Sequence, residues 1–152
     1  MLVFRKYLTG LTLVLLMVAS IDFAAKAQSH KDPIEGQWYN HEKTGKVEIT
    51  KAADGKFYGK VVWLKEPLKN GKPKVDELNS DETLRNRPRL GLPVLNGFEK
   101  DGDNKYTGGT IYDPNNGKTY SCKMTYKGKT LDIRGYIGIS MFGRTTTFTR
   151  AE

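Results

Sequence analysis

From Gln28 to the C-terminus no stretch sustains an apolar repeat of 3.6 residues; β-branched and aromatic residues come instead in short runs separated by glycine-containing breaks. That spacing rules out a helical bundle and specifies an all-β chain. Strands are predicted over residues 36–40, 46–52, 56–64, 93–98, 105–112, 118–126, 130–137 and 144–150. The breaks Asp54-Gly55, Asp101-Gly102-Asp103-Asn104, Asn115-Asn116-Gly117 and Lys127-Gly128 offer the glycine or asparagine that positive φ in a tight turn demands. Connections this short join antiparallel neighbours, which makes the chain an up-and-down meander.

Alternation assigns the faces. In the third run Phe57, Gly59, Val61 and Trp63 fall on one side, and in the sixth Tyr120, Cys122, Met124 and Tyr126 oppose Thr119, Ser121, Lys123 and Thr125. An open sheet of eight such strands would leave two edges exposed, and closure removes them. The expected fold is therefore all-β, a closed or nearly closed antiparallel up-and-down barrel of about eight strands. A barrel of that size is filled by its own side chains or holds one small ligand, and the aromatic content of the inward positions leaves both open.

Residues 65–92 interrupt the strand pattern. A connection this long inside a compact domain is a lid, a binding loop or a short helix over one end. Asn79 or Ser80 is the expected N-cap, with acidic residues in the first turn and Arg87-Pro88 as the stop, which predicts about one and a half helical turns.

The first 27 residues differ from the rest: a basic start at Arg5 and Lys6, an apolar run from Leu8 to Ile21, then Ala25-Lys26-Ala27. This is the pattern of a secretory signal peptide. Thr9, Gly10 and Thr12 break the run, which stops short of the ~20 residues a bilayer span requires. No cysteine follows it to carry a lipid. Cleavage after Ala27 leaves one barrel domain, residues 28–152, lowers the formal charge from +8 to +6, and places the protein in the periplasm or outside the cell. Export removes nucleic acid from the expected partners, and nothing in the remaining chain predicts stable membrane insertion. The lysines are spread over turns as a solvated basic surface. A single cysteine, Cys122, excludes an intramolecular disulfide and a cysteine-based zinc site, and its place in a strand predicts a buried, inert thiol.

Gly36-Gln37-Trp38 opens the first strand and Arg150 closes the last. The pair resembles the lipocalin and calycin barrels, where a Gly-x-Trp packs under an arginine of the final strand; the resemblance implies barrel closure by Trp38 and Arg150. Stacking a guanidinium on an indole face has its own physical logic, since it covers apolar surface while keeping a charge at a rim. Gly36 to Asn40, followed by Ala53-Asp54-Gly55 and Gly59, also resembles the opening strands of avidin and streptavidin. That likeness implies Asn40 and Thr44 as ligand contacts, although the tryptophans that wall the avidin pocket have no counterpart after Trp63.

A longer series covers nearly the whole mature chain: Gly59-Lys60-Val61-Val62-Trp63-Leu64, Asp76-x-x-Asn79-x-Asp81, Arg87-x-Arg89-x-Gly91, Gly108-Gly109-x-Ile111-Tyr112-Asp113-Pro114, Gly117-Lys118-x-Tyr120-x-Cys122, Leu131-x-x-Arg134-Gly135-Tyr136-x-Gly138 and Gly143-Arg144. It resembles a family of exported bacterial proteins of unknown function, and the resemblance implies a lipocalin-like barrel without naming a reaction. Ser80 and Phe148 depart from that pattern, which more often has proline and tryptophan there.

Charged and polar residues on the strands and the long connection supply the candidate site. Arg134 shares a face with Asp132 and Tyr136, Arg144 shares one with Phe148 and Arg150, and Asp113 ends a strand. A buried arginine requires a partner, and Asp76, Asp81, Asp113 and Asp132 are available. Such pairs either pin the long connection to the barrel or leave donors free for an anionic head group, which arginine grips bidentately. The candidate ligand-binding set is Asn40, Asp76, Asn79, Arg87, Asp113, Tyr120, Arg134 and Arg144, for a small ligand of amphipathic or anionic character. An envelope interaction module using residues 65–89 as its contact is the alternative. A carboxylate hydrolase is a further one, but His30 and His41 have no neighbouring nucleophile, and no serine elbow or zinc-protease helix is present. No phosphate loop or complete calcium loop is present either, so no cofactor and no metal are expected.

Overall fold

The computed structural model describes residues 31–152; the segment read as an export signal, residues 1–27, lies outside the described residues. The strands are β1 (Gly36–Tyr39), β2 (Gly45–Lys51), β3 (Phe57–Leu64), β4 (Leu68–Lys69), β5 (Lys72–Pro73), β6 (Pro93–Lys100), β7 (Lys105–Asp113), β8 (Lys118–Tyr126), β9 (Thr130–Tyr136) and β10 (Arg144–Arg150). Eight of them close into one antiparallel barrel in the order β1-β10-β9-β8-β7-β6-β3-β2. This is the expected up-and-down arrangement, with the long connection inserted between β3 and β6. The strands β4 and β5 form a separate hairpin whose turn, Asn70-Gly71, has positive φ at both residues.

Alternation places Phe57, Gly59 and Val61 inward as expected, but not Trp63. Lys46 pairs with Trp63 while Val47 pairs with Val61, so Val62 is an extra residue in β3 and the face reverses after it. Trp63 consequently stands on the outer surface, edge to face with Tyr39 at 6.0 Å, and Leu64 packs against the core instead.

One end of the barrel is solid. Trp38, Ile49, Phe57, Phe98, Tyr106, Cys122, Met124 and Leu131 are almost wholly buried there, and Ile34 from the segment before β1 is fully buried with them. Phe57 meets Tyr106 edge-on at 5.2 Å, and Trp38 meets Tyr126 at 6.2 Å. The Arg150 guanidinium lies 3.8 Å from the centre of the Trp38 ring and donates to the carbonyls of Glu35 and Pro33. Trp38 in turn donates from Nε1 to the Ile34 carbonyl at 2.8 Å. Burial pushes the Asp32 carboxyl up, yet hydrogen bonds from Lys100, Tyr106 and the Ile34 amide outweigh it and leave its pKa below the ordinary value. Cys122 is buried as expected, and burial pushes its pKa up to about 12, so the thiol is inert.

The long connection contains a single 3-10 turn, Glu82–Leu84, in place of the expected helix. Its N-cap is Asp81, whose carboxylate accepts from the Thr83 amide at 2.9 Å; Asn79 is engaged elsewhere. The turn cannot lengthen because the chain must be extended again at Arg87 and Arg89, where the Asp76 amide bonds the Arg87 carbonyl and the Arg89 amide bonds the Lys74 carbonyl.

Candidate functional site

Strand direction gathers four connections at the other end of the barrel: residues 40–44, 65–92, 114–117 and 137–143. Inward positions here carry smaller side chains, Val47, Val61, Ile111, Ile133 and Thr146. They form the inner wall of a cavity of about 1370 Å³ that is open between those connections and extends along them. That exceeds the roughly 300–1,000 Å³ of drug-sized sites. Its wall is thin on one side, because β10 pairs with β1 only at Thr149 and Arg150 and from Arg144 to Phe148 it is paired with β9 alone.

Arg144 lines this cavity from the inward face of β10, in register with Gly135 of β9. Among the described residues its guanidinium has neither a hydrogen bond nor an ion pair. Tyr120 and Asp113 line the same space and are joined by Asn116, whose Nδ2 donates to Asp113 Oδ2 and to Tyr120 Oη, both at 3.0 Å. Tyr120 accepts in that bond, so its own proton remains to be donated. Asn40 lies at the rim, but its side chain is spent on its own turn: Oδ1 accepts from the amides of Thr44 and Gly45, and Nδ2 donates to Thr44 Oγ1 and Glu42. The two residues singled out by the avidin-like pattern therefore bond each other.

Asp76, Asn79 and Arg87 sit elsewhere. Tyr112 points away from the interior on the outer flank of β7, and the long connection folds over it. Fully buried Asp76 accepts from Tyr112 Oη at 2.6 Å, Asn79 Nδ2 at 2.8 Å and Arg87 Nε at 3.0 Å, and pairs with Arg87 Nη2 at 2.9 Å. Burial raises its pKa and these donors lower it further, leaving the carboxylate below its ordinary value. Burial and the adjacent carboxylate push Tyr112 up. With every buried polar atom partnered, the cluster is a latch holding the connection to the barrel. Arg134 is on the outer face of β9, where its guanidinium donates to the carbonyls of Ser140 and Met141 and to Thr145 Oγ1. The eight candidates thus divide: Asn40, Asp113, Tyr120 and Arg144 at the cavity, Asp76, Asn79 and Arg87 in the latch, and Arg134 under the β9–β10 loop.

Two contributors lay outside that set. Tyr112 is the latch's barrel-side anchor, and Arg89 ties the connection to the β7–β8 turn through Val75 O, Pro114 O and Asn115 Oδ1. Gly117 completes this seat, since a Cβ there would lie 1.8 Å from the Leu78 carbonyl oxygen. The available signals were the motif series, which contains Arg89, Tyr112 and Gly117, and the spacing Arg87-x-Arg89, which puts two guanidinium groups on one side of an extended segment. Among the described residues no three His, Cys, Asp or Glu side chains gather as metal ligands, and no helix is long and apolar enough to cross a membrane.

A closed eight-stranded barrel, solid at one end under a Trp-Arg stack and hollow at the other, defines a lipocalin-like protein. The chain belongs to the family described as uncharacterized protein conserved in bacteria, DUF2147, whose model matches residues 36–150. It is similar in structure to protein HP1028 of Helicobacter pylori, described as belonging to the lipocalin family, at a TM-score of 0.67 and 28% identity over 78% of this chain and 82% of that one. A search of curated proteins gave no match.

Proposed function

We propose that this protein is exported and carries a small amphipathic anion, with the apolar part in the barrel cavity and the charged head at Arg144. The observation that carries the reading is the guanidinium of Arg144, unpartnered among the described residues, on the wall of a cavity whose inner part carries Val47, Val61, Val94, Leu95 and Ile111 and whose rim is polar and charged. An apolar chamber with a few convergent polar groups is the usual form of a small-molecule site. Arginine's planar fork suits a carboxylate or phosphate, and the Tyr120 hydroxyl supplies one more donor.

A fluorescent long-chain carboxylate titrated into the purified protein tests this. Binding is expected at one site per chain, weakened about tenfold by Arg144→Gln, which removes a charge-assisted hydrogen bond. The same substitution leaves unfolding free energy within about 0.5 kcal/mol of the parent, because Arg144 holds nothing else in place. Absence of binding, or equal binding by parent and variant, overturns the proposal.

A further inference from the structure

The β9–β10 loop, residues 137–143, holds its largest side chains in water. Ile137, Ile139, Met141 and Phe142 are 75%, 58%, 76% and 81% exposed. A contiguous apolar patch of this kind on a monomer marks an interaction surface. The loop is also built to keep that shape. Arg134 donates to the Ser140 and Met141 carbonyls at 2.8 and 3.0 Å, and Lys123 Nζ reaches Ser140 Oγ at 3.1 Å. Gly143 has no room for a Cβ, which would sit 2.7 Å from the Gly135 carbonyl oxygen. The backbone is tied to the barrel while the apolar side chains are turned outward.

Charge identifies the partner. Lys123, Arg134 and Arg144 surround the loop, and none of them is ion-paired among the described residues. From Ile133 to Ala151 the chain has three arginines and no carboxylate. A second feature at the same end agrees: on the outer face Lys46 lies over the rings of both Tyr39 and Trp63, at 4.8 and 5.6 Å. Aromatic rings beside a cation at one level are characteristic of side chains at a membrane–water interface.

We propose that this loop docks the open end of the barrel on an anionic phospholipid surface, with the four apolar side chains entering the headgroup boundary and the positive charge of Lys123, Arg134 and Arg144 around the loop base attracting the surface. An apolar tip plus a basic collar is the combination that binds such surfaces reversibly. Docking presents the cavity mouth and the thin β10 wall to the lipid. Docking shares Ile137, Phe142 and Arg144 with the cavity lining, whereas Ile139 and Met141 lie outside it, so substitutions at those two separate docking from ligand binding.

The test is flotation with vesicles of phosphatidylethanolamine and phosphatidylglycerol, using protein released by the producing cells with its N-terminus read by mass spectrometry, so that residues 1–27 do not supply the binding. The parent is expected to float with these vesicles. Ile139→Asp combined with Met141→Asp lowers the bound fraction at least tenfold, while thermal unfolding and long-chain carboxylate binding stay at parent values. Phosphatidylcholine vesicles or about 0.5 M salt weaken parental binding severalfold. Equal flotation of parent and variant, or none by either, overturns the proposal. So does a stable parental dimer that dissociates in the variant and never floats, which makes the loop an interface between copies.

Discussion

The solid end and the hollow end of this barrel are made by the same eight strands, and they differ in the size of what points inward. At one level Phe57, Phe98, Tyr106 and Met124 fill the interior; toward the other end Val61, Ile111, Gly135 and Thr146 do not. Strand order is common to both ends and cannot explain where the cavity lies, and the loss of β1–β10 pairing beyond Thr149 thins one wall without emptying the interior. Side-chain volume explains it, and this gives a division of labour in which one end supplies stability and the other is free to vary.

The largest effect expected from that division is at Trp38. Replacing it with alanine removes a fully buried indole, its hydrogen bond to Ile34 and the surface on which Arg150 rests. We predict a loss of about 3–5 kcal/mol in denaturant unfolding. Thr146→Ala, on the cavity wall, should cost less than about 0.5 kcal/mol. Similar costs at the two sites would break the comparison.

The latch comes next. Asp76→Asn leaves Arg87 without its carboxylate, and we predict a cost of about 2 kcal/mol, below the usual range for a broken buried pair because Arg87 keeps 34% of its side chain in water. The pH dependence follows from the lowered pKa of Asp76. A carboxyl held below its unfolded value stabilises the fold fully above that value, about 3.9, and loses the contribution as pH falls through the folded one. The difference between parent and Asp76→Asn in urea unfolding should therefore be full at pH 7 and shrink below about pH 4. A difference that is constant with pH would mean that the charge on Asp76 contributes nothing.

These two regions also mark what could be read from the sequence. All eight barrel strands and the inward position of Cys122 followed from period-two alternation and turn chemistry, because those are local properties. Trp63 was misplaced because one extra residue, Val62, reverses the face, and a bulge has no signature in a run of apolar residues. The aspartates offered as partners for Arg134 and Arg144 pair with neither of them, and Asp76 and Asn79 instead meet Arg87 and Tyr112, across a fold that only tertiary structure provides. Arg134 shares a strand with inward Ile133, and its outward direction was implicit in the alternation; its engagement with the Ser140 and Met141 carbonyls was not. Arg144 was legible as inward, whereas its lack of a partner was not.

The finest test of the comparison lies in one cross-strand row. Cys122 pairs with Gly109 on one side and Gly135 on the other, so the two glycines face the interior at the same level. A Cβ at Gly109 would lie 2.5 Å from the Phe98 ring, and a buried ring cannot withdraw without displacing its own neighbours. Gly109→Ala should cost about 1–3 kcal/mol, as overpacking does. A Cβ at Gly135 would instead meet Ile111 at 3.5 Å and Tyr120 at 3.6 Å, which is ordinary contact, with no positive φ to strain it. Gly135→Ala should then stabilise the protein by about 0.4–1 kcal/mol, since the alanine restricts the unfolded chain without crowding the folded one. Opposite signs for the two substitutions in thermal unfolding would place the boundary between filled and hollow within a single row of the sheet. A destabilising Gly135→Ala would show that the wall beside Ile111 and Tyr120 is already packed, and that the cavity begins nearer the rim.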